Sequence, residues 1–527
     1  MSENNIEQMK HIQKIKLQNF KRFKSLSIEF DPDINILIGD NESGKSSILS
    51  AINLVLSGSK SKIETVGLES LFNSDVISEY LKTDKAYQKL PVLFIEVFLN
   101  EQNNFDLNGN VNSDGKICDG LKLECSPNDE LSKEIKEILL QPETTFPFEY
   151  YSVKFNTFQG DAFTGYKRYV KHLLIDNTQI SSEYAMKEYV KDMYNSYASG
   201  VEKNKHQNEY RKHKVNFETV ILSDLNTRLD EYNFSIKNNS KANLETDLTL
   251  SEGEITIDNK GKGKQCFIKT EFALNKKEKN LDIVLIEEPE NHLSHINMKK
   301  LILKINETKE KQLFISTHSN MISSRLDLRK SILLNSNSET PIKLQNLSEG
   351  TAKFFIKAPD NNILDFILSK KIILVEGDAE FILMESFYRK VTDTELSQSE
   401  VHVISVDGTS FKRYLDIAKQ LNIKTAVIRD NDGNFQTKCV DHFSEYQDDF
   451  IKVFSDTDSQ RSTFEICVYQ DNTSTCDELF SAGRKTLTVQ EYMLSNKADV
   501  AFELLDKKSR ELNVPKYIED AIKWIKG

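Results

Sequence analysis

The chain has no C-x-x-C pair. Its six cysteines (Cys118, Cys125, Cys266, Cys439, Cys467 and Cys476) stand apart, and no histidine cluster accompanies them. That spacing argues against a disulfide framework or a zinc site, and it fits a reducing compartment. No apolar run is long enough to span a bilayer, and the opening Met1-Ser2-Glu3-Asn4-Asn5 is unlike a signal peptide. A cytoplasmic protein with no membrane association is therefore expected. Basic excess is missing as well, since the formal net charge is −12. This disfavours a globally basic nucleic-acid binder but leaves room for local patches, and clustered functional carboxylates would themselves lower the total. What is present, 527 residues with 28% charged and 38% hydrophobic, suits two or three domains with their own cores.

The chain is organised around Gly39-Asp40-Asn41-Glu42-Ser43-Gly44-Lys45-Ser46, which matches G-x-x-x-x-G-K-[ST]. Ile34 to Ile38 before it is a short apolar run of the buried-strand kind. Ser47 to Leu56 after it has helical apolar spacing. Strand, loop and helix in this order aim backbone N–H groups at a phosphate chain. Gly39 and Gly44 allow the tight path, with Asn41 and Ser47 flanking it. Lys45 would reach the β- and γ-phosphates, and Ser46 would hold Mg²⁺.

Before the loop, Ile15 and Leu17, then Leu26, Ile28 and Phe30, alternate with polar residues, which predicts two strands paired through Asn19 to Phe23. Leu17-Gln18-Asn19-Phe20-Lys21-Arg22-Phe23, followed by Asn35-Ile36-Leu37-Ile38-Gly39, resembles the opening of ABC-type ATPase heads of the RecF, SMC and OLD group. Val92 to Phe98 and Tyr151 to Phe155 read as strands, and Asn103 to Asp119 as an exposed loop. By resemblance, Gln159 is a candidate γ-phosphate sensor. Ser181 to Arg228 reads as helical without sustained heptads, so long coiled-coil arms are not expected. A compact insertion over about 165–240, serving as a dimerisation element, is expected instead. Within it, Lys203, Lys205, His206, Arg211, Lys212, His213 and Lys214 form the most basic segment. It reads first as a solvated helix face, with a DNA-phosphate contact as the alternative.

Three later segments complete the ATPase pattern. Gly261-Lys262-Gly263-Lys264-Gln265 resembles the Gly-rich segment that does the work of the ABC signature in OLD-type ATPases. That likeness places Gly261 and Gly263 at the γ-phosphate of ATP held by a second subunit. The run Ile283 to Ile286 ends in Glu287-Glu288-Pro289-Glu290, an apolar strand closed by paired acids. Glu287 would order the Mg²⁺ shell and Glu288 would polarise the attacking water. Most ABC heads carry Asp at the first position, and Glu-Glu-Pro-Glu is the form associated with OLD proteins. Gln312 to Ser316 is a strand leading to His318, the expected switch histidine.

Past a boundary near Ser369, strands alternate with helices: Lys371 to Val375, Val401 to Val406 with Asp407 at its end, and Thr425 to Ile428. This predicts a small parallel sheet with acids at the carboxyl ends of its strands. Glu376 and Glu380 are four apart, and Asp430 and Asp432 are two apart. Such a group repels itself unless divalent cations lie between, and hard oxygen ligands favour Mg²⁺ or Mn²⁺. One or two such ions make a centre for phosphodiester hydrolysis. E-G-x-x-E followed by D-x-D resembles the Toprim domain of topoisomerases, primases and OLD nucleases. The resemblance implies Glu376 and Asp430 as primary ligands, with Glu380 and Asp432 completing two sites. It also implies a later acid, for which Glu491 is the candidate, and a catalytic lysine, for which Lys507 and Lys508 are candidates.

The expected fold is thus α/β: an ABC-type P-loop ATPase head (1–368) followed by a Rossmann-like Toprim domain (369–527). That organisation resembles the OLD (overcoming lysogenization defect) nucleases, including those of Gabija and those encoded beside retrons. It implies an ATP-regulated, metal-dependent DNA endonuclease in anti-phage defence. A homodimer or larger assembly is expected, with a neighbour-encoded partner (protein or retron RNA/DNA) as a further expectation. The alternative is a RecF/Rad50-like DNA-repair ATPase or a defence-complex sensor whose Toprim domain binds nucleic acid without cutting it.

Overall fold

The structure, a computed structural model, describes residues 9–527 apart from 142, 179–182, 238–242, 275–280, 337, 339, 359–361, 407, 409 and 483–485. Asp407 therefore lies outside the described residues. The chain forms two compact units. The first comprises 1–318 and 330–341, and the second 319–329 and 342–527.

Among the described residues, the first unit holds two large sheets and a small two-stranded one, Ser251–Glu252 with Ile255–Thr256. In the large antiparallel one, Ile12–Phe20 pairs with Phe23–Glu29 on one side and Leu93–Leu99 on the other, as the alternation before the loop predicts. Cys118–Pro127 and Tyr151–Thr157 extend it. The parallel sheet has the order Ser331–Leu334, Ile34–Gly39, Gln312–Ser316, Ile283–Glu287, His172–Asp176. This order sets the loop strand beside the histidine strand, and the histidine strand beside the acid strand. The helix Lys45–Ser57 buries Ile48, Leu49, Ala51, Ile52, Leu54, Val55 and Leu56 in a core shared by strands of both sheets. Gln312, fully buried, joins the sheets. Its Oε1 accepts from Ile12 N at 2.7 Å, and its Nε2 donates to Ile12 O and Asp31 O, each at 2.8 Å.

The insertion is shorter than the expected 165–240. His172–Asp176 is a strand of the parallel sheet, in register with Ile283–Glu287, so the departure begins beyond it. Its first helix, Glu183–Tyr197, is tied down. Asp192 lies 3.2 Å from Lys62 and 3.6 Å from Arg168, and Tyr189 donates to Lys269 O at 2.9 Å. The next helix, Gly200–Asn216, carries the basic segment and buries none of its residues.

The second unit is built on a four-stranded parallel sheet in the order Val401–Ser405, Lys371–Val375, Lys424–Ile428, Ile451–Phe454. It takes in more chain than a boundary near Ser369 implies. The helices Glu349–Lys357 and Ile363–Leu368 pack onto Phe411–Leu421, with Phe355 and Phe366 edge-on to Tyr414 at 5.1 and 5.2 Å. On the other face, Asp378–Thr392 packs with Lys497–Lys508 and Lys516–Lys526. The last of these buries Ile518, Ala521, Ile522 and Ile525, a helical stripe.

Candidate ATP and metal sites

In the first unit, the loop after Ile34–Gly39 turns into the helix through Gly44, whose φ of 98° is left-handed. A Cβ on Gly44 would meet the Phe23 ring at 2.3 Å, and one on Gly39 would meet Leu334 O at 2.3 Å. Both glycines are thus required by close approach. Lys45 is buried and donates to Gly39 O at 2.7 Å and Asp40 O at 2.9 Å. Burial lowers its ammonium pKa to about 8 against the pull of Glu288 and Asp40. Asn41 and Ser46 are exposed at the mouth of the loop, and Ser47 is half-buried.

The side chain of Ser46 hydrogen-bonds Glu287, whose carboxyl is raised chiefly by burial. That pairing of hydroxyl and carboxylate is the donor set a nucleotide-bound Mg²⁺ uses. Glu288 has a left-handed φ of 44°. It accepts from Asn291 Nδ2 at 2.8 Å and lies 3.7 Å from His318 Nε2. Burial and then the neighbouring Lys45 lower the His318 pKa, favouring the neutral ring. Glu290 has a part the sequence did not reveal. Its Oε1 accepts from His318 N at 2.7 Å and Thr317 Oγ1 at 2.8 Å, latching the histidine segment to the acid loop. Gly261 caps the helix Lys262–Ala273, and a Cβ on Gly263 would meet His292 O at 2.2 Å. Gln159 is exposed at the end of Tyr151–Thr157, in the antiparallel sheet rather than the one bearing the loop.

In the second unit, Glu376 follows Lys371–Val375, Glu380 lies on the first turn of Asp378–Thr392, and Asp430 follows Lys424–Ile428. Adjacent parallel strands therefore bring these three acids to one sheet end. Burial, then Glu380, Glu376 and Glu465, push the Asp430 carboxyl up to about 8. Burial pushes Glu380 to about 7, with Glu465 and Glu376 adding to it. Glu376 is raised mainly by burial, while Arg429 and the Asp430 amide work to lower it. Asp432 is exposed, and its carboxylate lies 3.3 Å from Lys438 and 3.9 Å from Arg429.

Two further members come from later helices. Glu465, on Phe464–Asp471, is 3% exposed and lies 3.0 Å from Lys497 Nζ. Burial works to lower the Lys497 pKa, but Glu465, Asp430 and Glu380 outweigh it and keep the ammonium charged. Glu491 is not part of this group. It is the N3 residue of a capping box, accepting from Thr488 N and Oγ1 at 2.8 and 2.9 Å on an exposed helix end. Lys507 pairs with Glu503, and the half-buried Lys508 pairs with the exposed Glu478 and Glu511. Among the described residues, Lys497 is a lysine that the fold brings to the acids.

Among the described residues, no three acids already form a closed metal cage. The donor chemistry nevertheless fits a hard divalent cation. Glu376 Oε2 and Glu465 Oε2 are buried without any hydrogen-bond partner, and Glu376, Glu380 and Glu465 all act on Asp430 at one sheet end.

Residues 367–432 match the family model for the Toprim domain of overcoming-lysogenization-defect-like proteins, and residues 14–248 match that of an AAA domain. The Old nuclease of Escherichia phage P2 is 28% identical over 176 residues, 31% of this chain and 30% of that protein. The DNA replication and repair protein RecF of Lysinibacillus sphaericus is 38% identical over 79 residues, 15% of this chain and 20% of that protein. The matches thus span no more than about a third of these two relatives. The C-terminal region of the Burkholderia pseudomallei OLD protein aligns over 30% of this chain and 97% of its own, with 21% identity and a TM-score of 0.22. A P-loop head and a Toprim sheet in one chain define an ATPase–Toprim protein. Its Toprim segment is similar to that of overcoming-lysogenization-defect-like proteins, and part of the chain is similar to the P2 Old nuclease.

Proposed function

We propose that this protein is an ATP-gated, divalent-metal-dependent DNA endonuclease acting in anti-phage defence in the cytoplasm. The observation that carries the reading is the gathering of Glu376, Glu380, Asp430 and Glu465 at one sheet end, with two orphaned oxygens and Lys497 alongside. A site that only bound phosphate would favour Lys and Arg, because carboxylates repel a phosphodiester. Glu376, Glu380, Asp430, Asp432 and Glu465 would hold Mg²⁺ or Mn²⁺, which supplies an activated water and stabilises the leaving oxygen. Lys497 supplies a fixed positive charge for the phosphoryl oxygens.

In the head, Lys45 and the loop amides bind the ATP phosphates, Ser46 and Glu287 hold its Mg²⁺, and Glu288 orients water for hydrolysis. Gly261 and Gly263, at the start of Lys262–Ala273, would meet nucleotide held by a second copy. ATP would then act as a switch on the assembly rather than as a reactant in DNA cleavage.

A homodimer is supported by the end of the insertion. Val215, Phe217, Val220, Ile221 and Leu225 are exposed along one helical stretch, with Leu229 exposed just past it, more apolar surface than a lone chain ordinarily leaves in water. Sedimentation of the wild-type protein and of a Val220→Glu/Ile221→Glu variant tests this, and a dimer unmoved by the substitutions would place the interface elsewhere.

The activity itself is tested on supercoiled and linear DNA with Mg²⁺ or Mn²⁺, with and without ATP. Metal-dependent cleavage supports the reading, and the ATP lanes give the sign of the coupling. No cleavage under any of these conditions, but cleavage on adding a neighbour-encoded partner, would make the chain one component of a defence complex.

A further inference from the structure

Between Asp430 and Asp432 stands a residue that carries no charge and is 1% exposed. The side-chain amide of Asn431 donates to three backbone carbonyls of one loop: Asp456 O at 2.8 Å, Asp458 O at 3.0 Å and Arg461 O at 3.3 Å. Its Oδ1 accepts from Gly433 N at 2.8 Å, which closes the turn beyond Asp432. The loop 455–463 is thus wound about a single amide group. Asp432 N donates to Ser462 O at 3.2 Å, a backbone tie to the same loop. Arg461 clamps the loop from its outer side, with Nε 2.7 Å from Asp456 and Nη2 2.8 Å from Asp471.

What the loop delivers is chemically specific. It runs directly into Thr463, which caps Phe464–Asp471. Phe464 N then donates to Asp430 Oδ1 at 2.8 Å, and the next residue is the buried Glu465. One oxygen of Asp430 is held by this amide, and Glu465 stands beside it with Oε2 unpartnered. The register of both acids therefore depends on where the loop ends.

We propose that Asn431 is the positioning residue of the metal site, setting Asp430 and Glu465 in one carboxylate group through the loop 455–463. The inference rests on the metal-site reading above. Only a side chain with two N–H donors and one acceptor on a short stem meets this environment. Asp would turn an oxygen toward three carbonyls, and an apolar residue would leave buried carbonyls unpaired. Groups that orient ligands without touching the metal typically govern affinity by about 10–100-fold.

The test is calorimetric titration of Mn²⁺ into the full-length protein, free of DNA and nucleotide, with Asp430→Ala alongside. The heat lost in Asp430→Ala identifies the Toprim component. Asn431→Ala is expected to weaken that component by about 10–100-fold while ATP hydrolysis in the other unit stays at the wild-type rate. Asn431→Ser, which keeps one donor, is expected to fall between, and it carries the test if Asn431→Ala fails to fold. Wild-type affinity in Asn431→Ser and in a folded Asn431→Ala overturns the positioning role. A wild-type titration with no Asp430-dependent component overturns the metal reading itself, and the role of Asn431 with it.

Discussion

Lys497 Nζ lies 3.0 Å from Glu465 Oε1, and although Glu465 is 3% exposed, its second oxygen has no partner at all. A carboxylate removed from water is tolerable only when paired or when awaiting a cation. The lysine supplies half of that compensation. Lys497→Gln removes a positive charge from a group of acids, so Mn²⁺ binding should stay at least as tight as in the wild type. Cleavage should nonetheless slow by about 100-fold, the usual cost of losing one electrostatic contact to a developing charge. Parallel calorimetry and nicking rates check this, and a loss of both together would make Lys497 a structural partner only.

The head makes a separable prediction. Glu288 is held by Asn291 and lies near His318, and in the proposed reading it orients the attacking water. Glu288→Gln should bind ATP normally and hydrolyse it about 100-fold more slowly. Lys45→Ala should lose nucleotide binding while its Toprim metal component is unchanged. Fluorescent-nucleotide binding and phosphate release measure the two variants, and unchanged nucleotide affinity in Lys45→Ala would refute that role.

Protonation of the metal-free acids has a definite sign. Asp430 is pushed up to about 8, first by burial and then by Glu380 and Glu376. In the unfolded chain an Asp loses its proton near pH ~4. Between those values the unfolded state binds fewer protons than the folded one. Stability therefore falls as pH rises from about 4 to about 8, by about 1.4 kcal/mol per pH unit for such a group, and levels off above. Asp430→Asn removes this contribution. Thermal melts in chelator should show the variant gaining on the wild type through that window, and Mn²⁺ should close the gap. A difference independent of pH would contradict it.

Gln312 offers a test of the fold alone. It makes three hydrogen bonds in a fully buried setting between the two large sheets of the first unit. Gln312→Ala leaves Ile12 N unpaired and takes one donor from Ile12 O and from Asp31 O, the latter still held by Asn35 Nδ2 at 2.8 Å, at about 1–3 kcal/mol for each group left unpaired. Denaturant unfolding should show the first unit lowered by several kcal/mol. A shift below about 1 kcal/mol would mean that water or a rearranged strand end satisfies those groups.

Much of this architecture was legible because its signals are local. Gly39 to Ser46, Glu287-Glu288 and His318 are each anchored to a buried-strand run, so the strand and its terminal chemistry are read together. Glu376 and Asp430 were legible for the same reason. Glu465 and Lys497 were not, because each stands on a helix whose local pattern is unremarked, and only tertiary packing turns them toward Asp430. Glu491 misled in the opposite way. An acid three residues after Thr488 is also what a capping box requires, and that local use is the one realised. The parallel-sheet strand His172–Asp176 was hidden in the expected insertion because its pairing partner lies more than a hundred residues away. The helices from 349 onward that pack onto Phe411–Leu421 were likewise invisible to a boundary drawn just ahead of the strand at Lys371.

The most direct test of the central claim is nicking of supercoiled DNA by the wild type and by Asp430→Ala in Mn²⁺, with ATP hydrolysis measured on the same preparations. The account predicts that nicking disappears in Asp430→Ala while ATP hydrolysis proceeds at the wild-type rate. Nicking that survives in the variant would contradict the assignment of the Toprim acids as the cutting site.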